Sequence, residues 1–181
     1  MACDSLIATA NNCGKNTKDG VSSDVWLIAY SDLKAVSGST DVYKVGVTGL
    51  VSEIALASGT TTKFVKYGTV ANAASIKETY TYADGTGTYD IVKELTFTLS
   101  NVGSVEGKAA AEKLVSNPVA ALVKLQNKSW VAFGLNGAFQ AKTMEGAAGT
   151  GSNGRVITLS GSDTEFLQPV DPTIIASLIA A

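Results

Sequence analysis

Hydrophobic and polar side chains alternate with period two from Ser75 to Ala83 and again from Thr88 to Leu99, with Asp84-Gly85-Thr86-Gly87 between them. Such alternation predicts a long antiparallel hairpin, 75–99. Gly85-Thr86 suits a type II′ two-residue loop, because glycine takes a positive φ without steric cost. Closing there pairs Asp84 with Gly87 and puts Tyr82 opposite Tyr89, Tyr80 opposite Ile91, Glu78 opposite Lys93 and Ile76 opposite Leu95. The other face pairs Thr81 with Asp90, Thr79 with Val92, Lys77 with Glu94 and Ser75 with Thr96. Two opposite-charge pairs and an aromatic pair fall into one register, each worth ~0.2–1 kcal/mol. A slip of one residue would undo them all. Ile76, Tyr80, Tyr82, Tyr89, Ile91, Leu95, Phe97 and Leu99 are therefore expected to face a core, and Lys77, Thr79, Thr81, Asp90, Glu94, Thr96 and Thr98 to face water.

Before the hairpin, residues 1–23 hold turn-forming pairs and little apolar sequence beyond Leu6 and Ile7, which reads as an irregular arm. Asp24–Tyr30 is a strand apolar on both sides, as a central strand must be. Val42–Ala57 holds one or two strands broken at Gly46 or Gly49, and Thr62–Tyr67 adds a short one. After the hairpin the period changes to that of a helix over about 104–116. Ser104 is its N-cap, Gly107, Ala110, Ala111, Leu114 and Val115 form its apolar stripe, and Lys108 and Glu112 pair on its wet side. Val119–Gln126 and Ser129–Leu135 are strands joined at Asn127-Lys128, where the asparagine is expected to take the left-handed position. A further strand, Ala138–Met144, leads into a glycine-rich stretch, 145–154, read as a mobile loop, and Arg155–Ser160 returns as strand. Phe166–Val170 is extended. Asp171-Pro172 is a helix N-cap with proline at the first position, and Thr173–Ala181 is nearly all apolar. A charge-free apolar end of this kind is expected to seek a partner surface.

At 181 residues the chain is long enough for one core, burying roughly 70 % of the surface exposed when unfolded. The abundance of glycine, threonine, serine and alanine, with only 17 % charged residues, suits a mainly β protein rich in turns. The net charge is −2 without a basic run, which argues against tight nucleic-acid binding. No histidine is present, which removes the commonest general base and metal ligand. Cys3 and Cys13 are too few for a disulfide framework and are expected as free thiols, with one small disulfide loop in an oxidising setting as the alternative. Met1 is followed by no basic, apolar leader, and no apolar run approaches ~18 residues. Folding in the cytoplasm without membrane insertion is the expectation.

Motif chemistry is sparse. Gly149-Thr150-Gly151-Ser152-Asn153-Gly154 has the spacing of a dinucleotide-binding loop but runs into a strand, where that site needs a helix. Cys13-Gly14-Lys15-Asn16 departs from a phosphate loop at Thr9 and Asn16. Ser31-Asp32-Leu33-Lys34 matches a serine/lysine tetrad without its companion motifs, and Asn127-Lys128-Ser129 spells a glycosylation sequon that reads more simply as a turn. Asp163 and Glu165 are a conceivable acid/base or calcium pair, with solvated loop charge the plainer reading. Trp26 and Trp130 could stack sugars or bases, but both sit in apolar strands and read as core or interface. Neither a catalytic set nor a cofactor is expected.

The order of elements, and the phrases DVWLIAYSDL, TYADGTGTYDIVKELTF, VAALVKLQNKSWVAFGLNGAF and GRVITLSGSD, resemble tail tube proteins of tailed bacteriophages, particularly those of Bacteroides-like hosts, and the related tubes of injection systems. The resemblance implies an antiparallel β-sandwich or half-open β-barrel, 24–165, flanked by one helix and extended arms at 1–23 and 166–181. Copies would form rings, six to a ring in that family, and stacked rings would conduct DNA within the virion tail. Lys77, Thr79, Thr81, Asp90, Glu94, Thr96 and Thr98 would then face the lumen. Leu6, Ile7, Phe166, Leu167, Ile174, Ile175 and Leu178, together with the 145–154 loop, would reach neighbouring subunits. Other tail or neck proteins would be partners, and a neck ring or tail terminator would share these features. The rival from another class is a carbohydrate-binding or adhesin-like sandwich using Trp130 and the tyrosines as a platform.

Overall fold

A strand that is apolar on both sides needs cover on both sides, and Val21–Ala29 (β1) has it. The computed structural model describes residues 21–57, 62–69, 74–99, 103–149 and 152–180, which are mainly β, with two sheets and two helices. β1 starts three residues earlier than the alternation suggests, and the rest of the predicted arm, with Leu6, Ile7 and both cysteines, lies outside the described residues.

β1 is flanked by Val65–Gly68 (β4) and Val119–Leu125 (β7), and β7 continues to Trp130–Phe133 (β8). Beyond β8 come Gln168–Val170 (β11), Val51–Ile54 (β3) and Tyr43–Val45 (β2), completing a seven-stranded sheet. All its pairs are antiparallel except β11 with β3. The second sheet runs Ser75–Ala83 (β5), Thr88–Leu99 (β6), Ser152–Asp163 (β10), Gln140–Gly149 (β9).

Two hydrophobic clusters sit on opposite faces of the seven-stranded sheet. Val25, Leu27, Ala121, Val123 and Phe133 meet Leu95, Phe97, Ile157 and Leu159 of the four-stranded sheet. Trp26, Ile28, Leu122, Trp130 and Ala132 pack on the other side with Val51, Ile54 and Phe64, and with Ile175 and Leu178 of the helix Pro172–Leu178 (α2). Trp26 and Trp130 are both buried with ring centroids 4.9 Å apart, so Trp130 is core and offers no sugar platform. The remaining helix, Val105–Ser116 (α1), begins where Ser104 Oγ accepts a hydrogen bond from Gly107 N at 2.9 Å, and it buries Ala111 and Leu114 against the inter-sheet cluster. Val115, expected on the same stripe, is exposed, because one step along a helix turns the side chain by about 100° and the seated stripe is narrow.

The hairpin β5–β6 pairs from Ser75 with Thr96 through Tyr82 with Tyr89 in the register derived from charge and aromatic matching. Its loop is different. Ala83 pairs with Thr88, and the Ala83 carbonyl accepts from Thr86 N and Gly87 N, so a four-residue loop replaces the two-residue turn, with the positive φ at Gly87. Both loops are centred on the Gly85–Thr86 bond, which is why the register is the same. The expected burial fails at the outer end: Tyr80, Tyr82 and Tyr89 are about half exposed (52 %, 53 % and 51 %), while Ile91 is buried. The outer end of the hairpin runs past the inter-sheet cluster, and there Phe166 stacks on Tyr80.

Three further expectations are corrected. Of the stretch read as a mobile loop, residues 145–149 and 152–154 are strand: β9 runs to Gly149 and pairs with β10 from Ser152. Gly154 serves close approach, since a Cβ there would lie 2.6 Å from Thr98 Cγ2. The positive φ of the β7–β8 turn falls on Lys128 (φ 72°), because Asn127 Oδ1 instead accepts from Ser129 N and Oγ. Finally, the C-terminal segment is not an extended arm. β11 is an interior strand between β3 and β8, α2 crosses the sheet face, and Ile179 bridges to Phe64 beside β4, with Phe64 N donating to Leu178 O and Ala180 N to Phe64 O.

Candidate functional surface

The four-stranded sheet packs one face on the core, which leaves the other as its open surface. Register places Lys77, Thr79 and Thr81 of β5, Asp90, Glu94, Thr96 and Thr98 of β6 and Thr158 and Ser162 of β10 on that outer face. All seven residues expected to line a lumen therefore share one surface. Thr79 and Thr81 are exposed, and Asp90, Glu94, Thr96 and Thr98 are half-buried by neighbouring side chains. Lys77 Nζ stands 3.9 Å from Glu94 Oε2, a long, exposed ion pair of small energetic weight. Asp90 accepts from Ser162 Oγ at 3.0 Å, and the Thr96 and Thr158 hydroxyls are 3.1 Å apart. These contacts fix a hydroxyl-rich surface of mixed, nearly balanced charge. Both outer strands of this sheet, β5 and β9, are nine and ten residues long and pair with a neighbour on one side only among the described residues.

Leu6 and Ile7 lie outside the described residues, and the other five residues expected to reach neighbouring subunits do not form a surface. Ile175 and Leu178 are buried in the chain's own core, Ile174 packs on the same cluster, and Leu167 packs on the inter-sheet cluster. Among the described members of this set only Phe166 stays outside, 57 % exposed, with its ring 6.3 Å from that of Tyr80. The reason is topological: the apolar tail covers the far face of the seven-stranded sheet, a need invisible until β1, β7 and β8 are known to lie side by side in its interior.

Period-two reading placed Lys93 on the inner face but paired it with Glu78. Lys93 is 3 % exposed, and its Nζ instead donates to Asp163 Oδ2 at 2.7 Å and to Phe166 O at 3.1 Å. Glu78 accepts from Leu167 N. Asp163 Oδ1 takes Thr164 N and Glu165 N, and Glu165 accepts from the Tyr43 hydroxyl and from Gln168 Nε2. Tyr43 is held neutral, its pKa pushed up by burial and then by the Glu165 carboxylate. Tyr43, Lys93, Asp163, Glu165 and Gln168 border a cavity of about 280 Å³ with Asn136 and Tyr30. Asp163 and Glu165 thus accept bonds that tie the 163–168 turn to the body. Among the described residues, no group of three or more histidine, cysteine, aspartate or glutamate side chains is arranged to hold a metal ion. No described helix is long and apolar enough to cross a membrane.

Comparison with protein-family models, with curated proteins and with solved structures finds no match to this chain.

Proposed function

We propose that this protein is a structural virion subunit whose copies assemble into the stacked rings of a phage tail tube, a conduit for DNA. One observation carries the reading: a sheet of long strands with one apolar face committed to the core, one threonine-rich face open, and both edges available to a neighbour. Open edges are templates for pairing, and edge-to-edge pairing of β5 with β9 of the next copy satisfies both at once. Closed into a ring, the half-open sheets become one barrel lined by Lys77, Thr79, Thr81, Asp90, Glu94, Thr96 and Thr98. Such a wall, with little net charge, lets a polyanion slide without holding it. The sandwich-like body behind it serves as the outer layer. A neck ring or terminator would use the same geometry at another place in the tail.

The carbohydrate-binding alternative loses Trp130 to the core and keeps the exposed tyrosines of the hairpin as its only aromatic platform. Negative-stain microscopy and light scattering of the purified protein separate the two. Rings or tubes are the expected result; a strict monomer at high concentration that binds glycans would overturn the tube reading.

A further inference from the structure

The two ends of β6 are unlike each other. At its start the hairpin runs past the inter-sheet cluster and carries Tyr80, Tyr82 and Tyr89, joined by Phe166, all about half exposed. The row is ordered by stacking: Tyr80 and Tyr89 centroids lie 5.8 Å apart at 29°, and Tyr80 and Phe166 lie 6.3 Å apart at 22°. The only charges from Thr79 to Tyr89 and the next residue are Asp84 at the apex and Asp90. At the other end Leu99 enters a cleft of about 530 Å³ between β4 and α1, walled by Val65, Tyr67, Ala109 and Ala110 with Lys113 on its rim. An adjoining hollow of about 410 Å³ shares Val65, Tyr67 and Lys113 and adds Lys63 and one acid, Asp32. One acid, Glu106, borders the cleft.

We propose that the hairpin tip plugs into the β4–α1 cleft of a second copy, so that copies associate head to tail along the direction of β6. An aromatic, acidic projection meets an apolar recess edged by lysines, the complementarity that selects this occupant over an unrelated protein. The twelve residues of β6 separate tip from cleft by roughly 36 Å at ~3.3 Å per residue, so one molecule cannot satisfy its own cleft. Two copies joined this way leave one tip and one cleft open, and the contact propagates. In its ring geometry the inference rests on the tube reading, where it names the contact between successive rings and sets their spacing near the length of β6. The head-to-tail contact itself needs no ring.

The test pairs two defective proteins. The tip variant is Tyr82→Ser with Tyr89→Ser. The cleft variant is Ala110→Trp, with Lys113→Glu, an exposed position, as a second version should the tryptophan disturb folding. Circular dichroism checks that each folds. Sedimentation velocity should show each variant needing at least about tenfold higher concentration than the unaltered protein to associate axially. Mixed, the two should form a 1:1 complex, because the cleft variant keeps a sound tip and the tip variant a sound cleft. Single rings from either variant, with two-layer stacks from the mixture, would support the inference and the tube together. Tubes of normal length from the tip variant would overturn the inference and leave the tube standing. A 1:1 complex in a protein that never forms rings would support the inference and sink the tube. A folded pair that does not complement, or tyrosine-dependent glycan binding by a monomer, would overturn it.

Discussion

Two positions with the same backbone sign respond oppositely to substitution. Gly134 has φ +68°, and a Cβ there would lie 2.5 Å from both Val119 O and Phe139 Cβ. Backbone cannot yield as a side-chain end can, so Gly134→Ala is expected to cost at least ~3 kcal/mol and to abolish most soluble expression. Lys128 is also left-handed, but on an exposed turn where its Cβ strain is the only penalty. Lys128→Gly should therefore stabilise by about 0.5–1 kcal/mol, the relief of strain exceeding the added freedom of the unfolded chain. A rise in Tm of about 1–4 °C in a calorimeter would show it. Lys93 is the third instructive residue. Lys93→Ala strands Asp163 and should cost about 3 kcal/mol in denaturant titration, whereas Lys93→Met with Asp163→Asn removes both charges, keeps the acceptor for Thr164 N and Glu165 N, and should recover most of that loss. Equal losses in the two proteins would mean that the stranded Asp163 charge is not what sets the energy.

At the scale of elements, the tail decides most. Removing residues 166–181 takes out an interior strand, the helix covering Trp26 and Trp130, and the bridge to Phe64. The truncated protein should lose its near-UV circular dichroism and aggregate; a folded, monodisperse product would refute the core assignment. Asp171 gives a milder test of the same element. Its carboxylate accepts from Thr173 N at 2.9 Å and from Thr173 Oγ1, bonds that hold its pKa below the ordinary value. A lowered folded pKa contributes stability that is complete above the unfolded pKa of about 3.9 and is lost as pH falls through the folded value. Asp171→Asn keeps an N-cap acceptor without a titrating group, so the fall in Tm below about pH 4 should become shallower. The helix starts at Ser104 and Asp171, the broken strands before Ala57 and the hairpin register were legible because each rests on local chemistry: a cap, a glycine, a cross-strand charge. What was not legible was long-range. Nothing local in Gln168–Val170 says that it lies between β3 and β8, and nothing in Tyr82 or Tyr89 says that the inter-sheet cluster stops short of them. The candidate surface was readable as a face; that the apolar tail belonged to the core was not, because partner surface and self-cover demand the same side chains.

For the whole molecule, the decisive question is which way the threonine face points. If it lines a channel, charge added there is repeated around every ring and acts on whatever passes through. Thr79→Lys with Thr81→Lys alters two exposed side chains of the outer face and breaks no bond to the core. In a lumen those lysines convert a sliding wall into a holding one: each cation that meets a phosphate releases counterions condensed on the duplex, so the logarithm of its affinity should fall linearly with the logarithm of salt concentration. Basic residues on a tube's outside would bind duplex with a similar salt slope, so affinity alone does not fix the direction. Enclosure does. Duplex held within a channel is shielded from nuclease, and duplex held on an outer wall is cut. Tubes of the double variant should therefore retain nuclease-resistant DNA at low salt and release it at high salt, while tubes of the unaltered protein retain little. Salt-dependent binding that remains fully nuclease-sensitive would put the threonine face on the outside and end the lumen assignment, even in a protein that assembles.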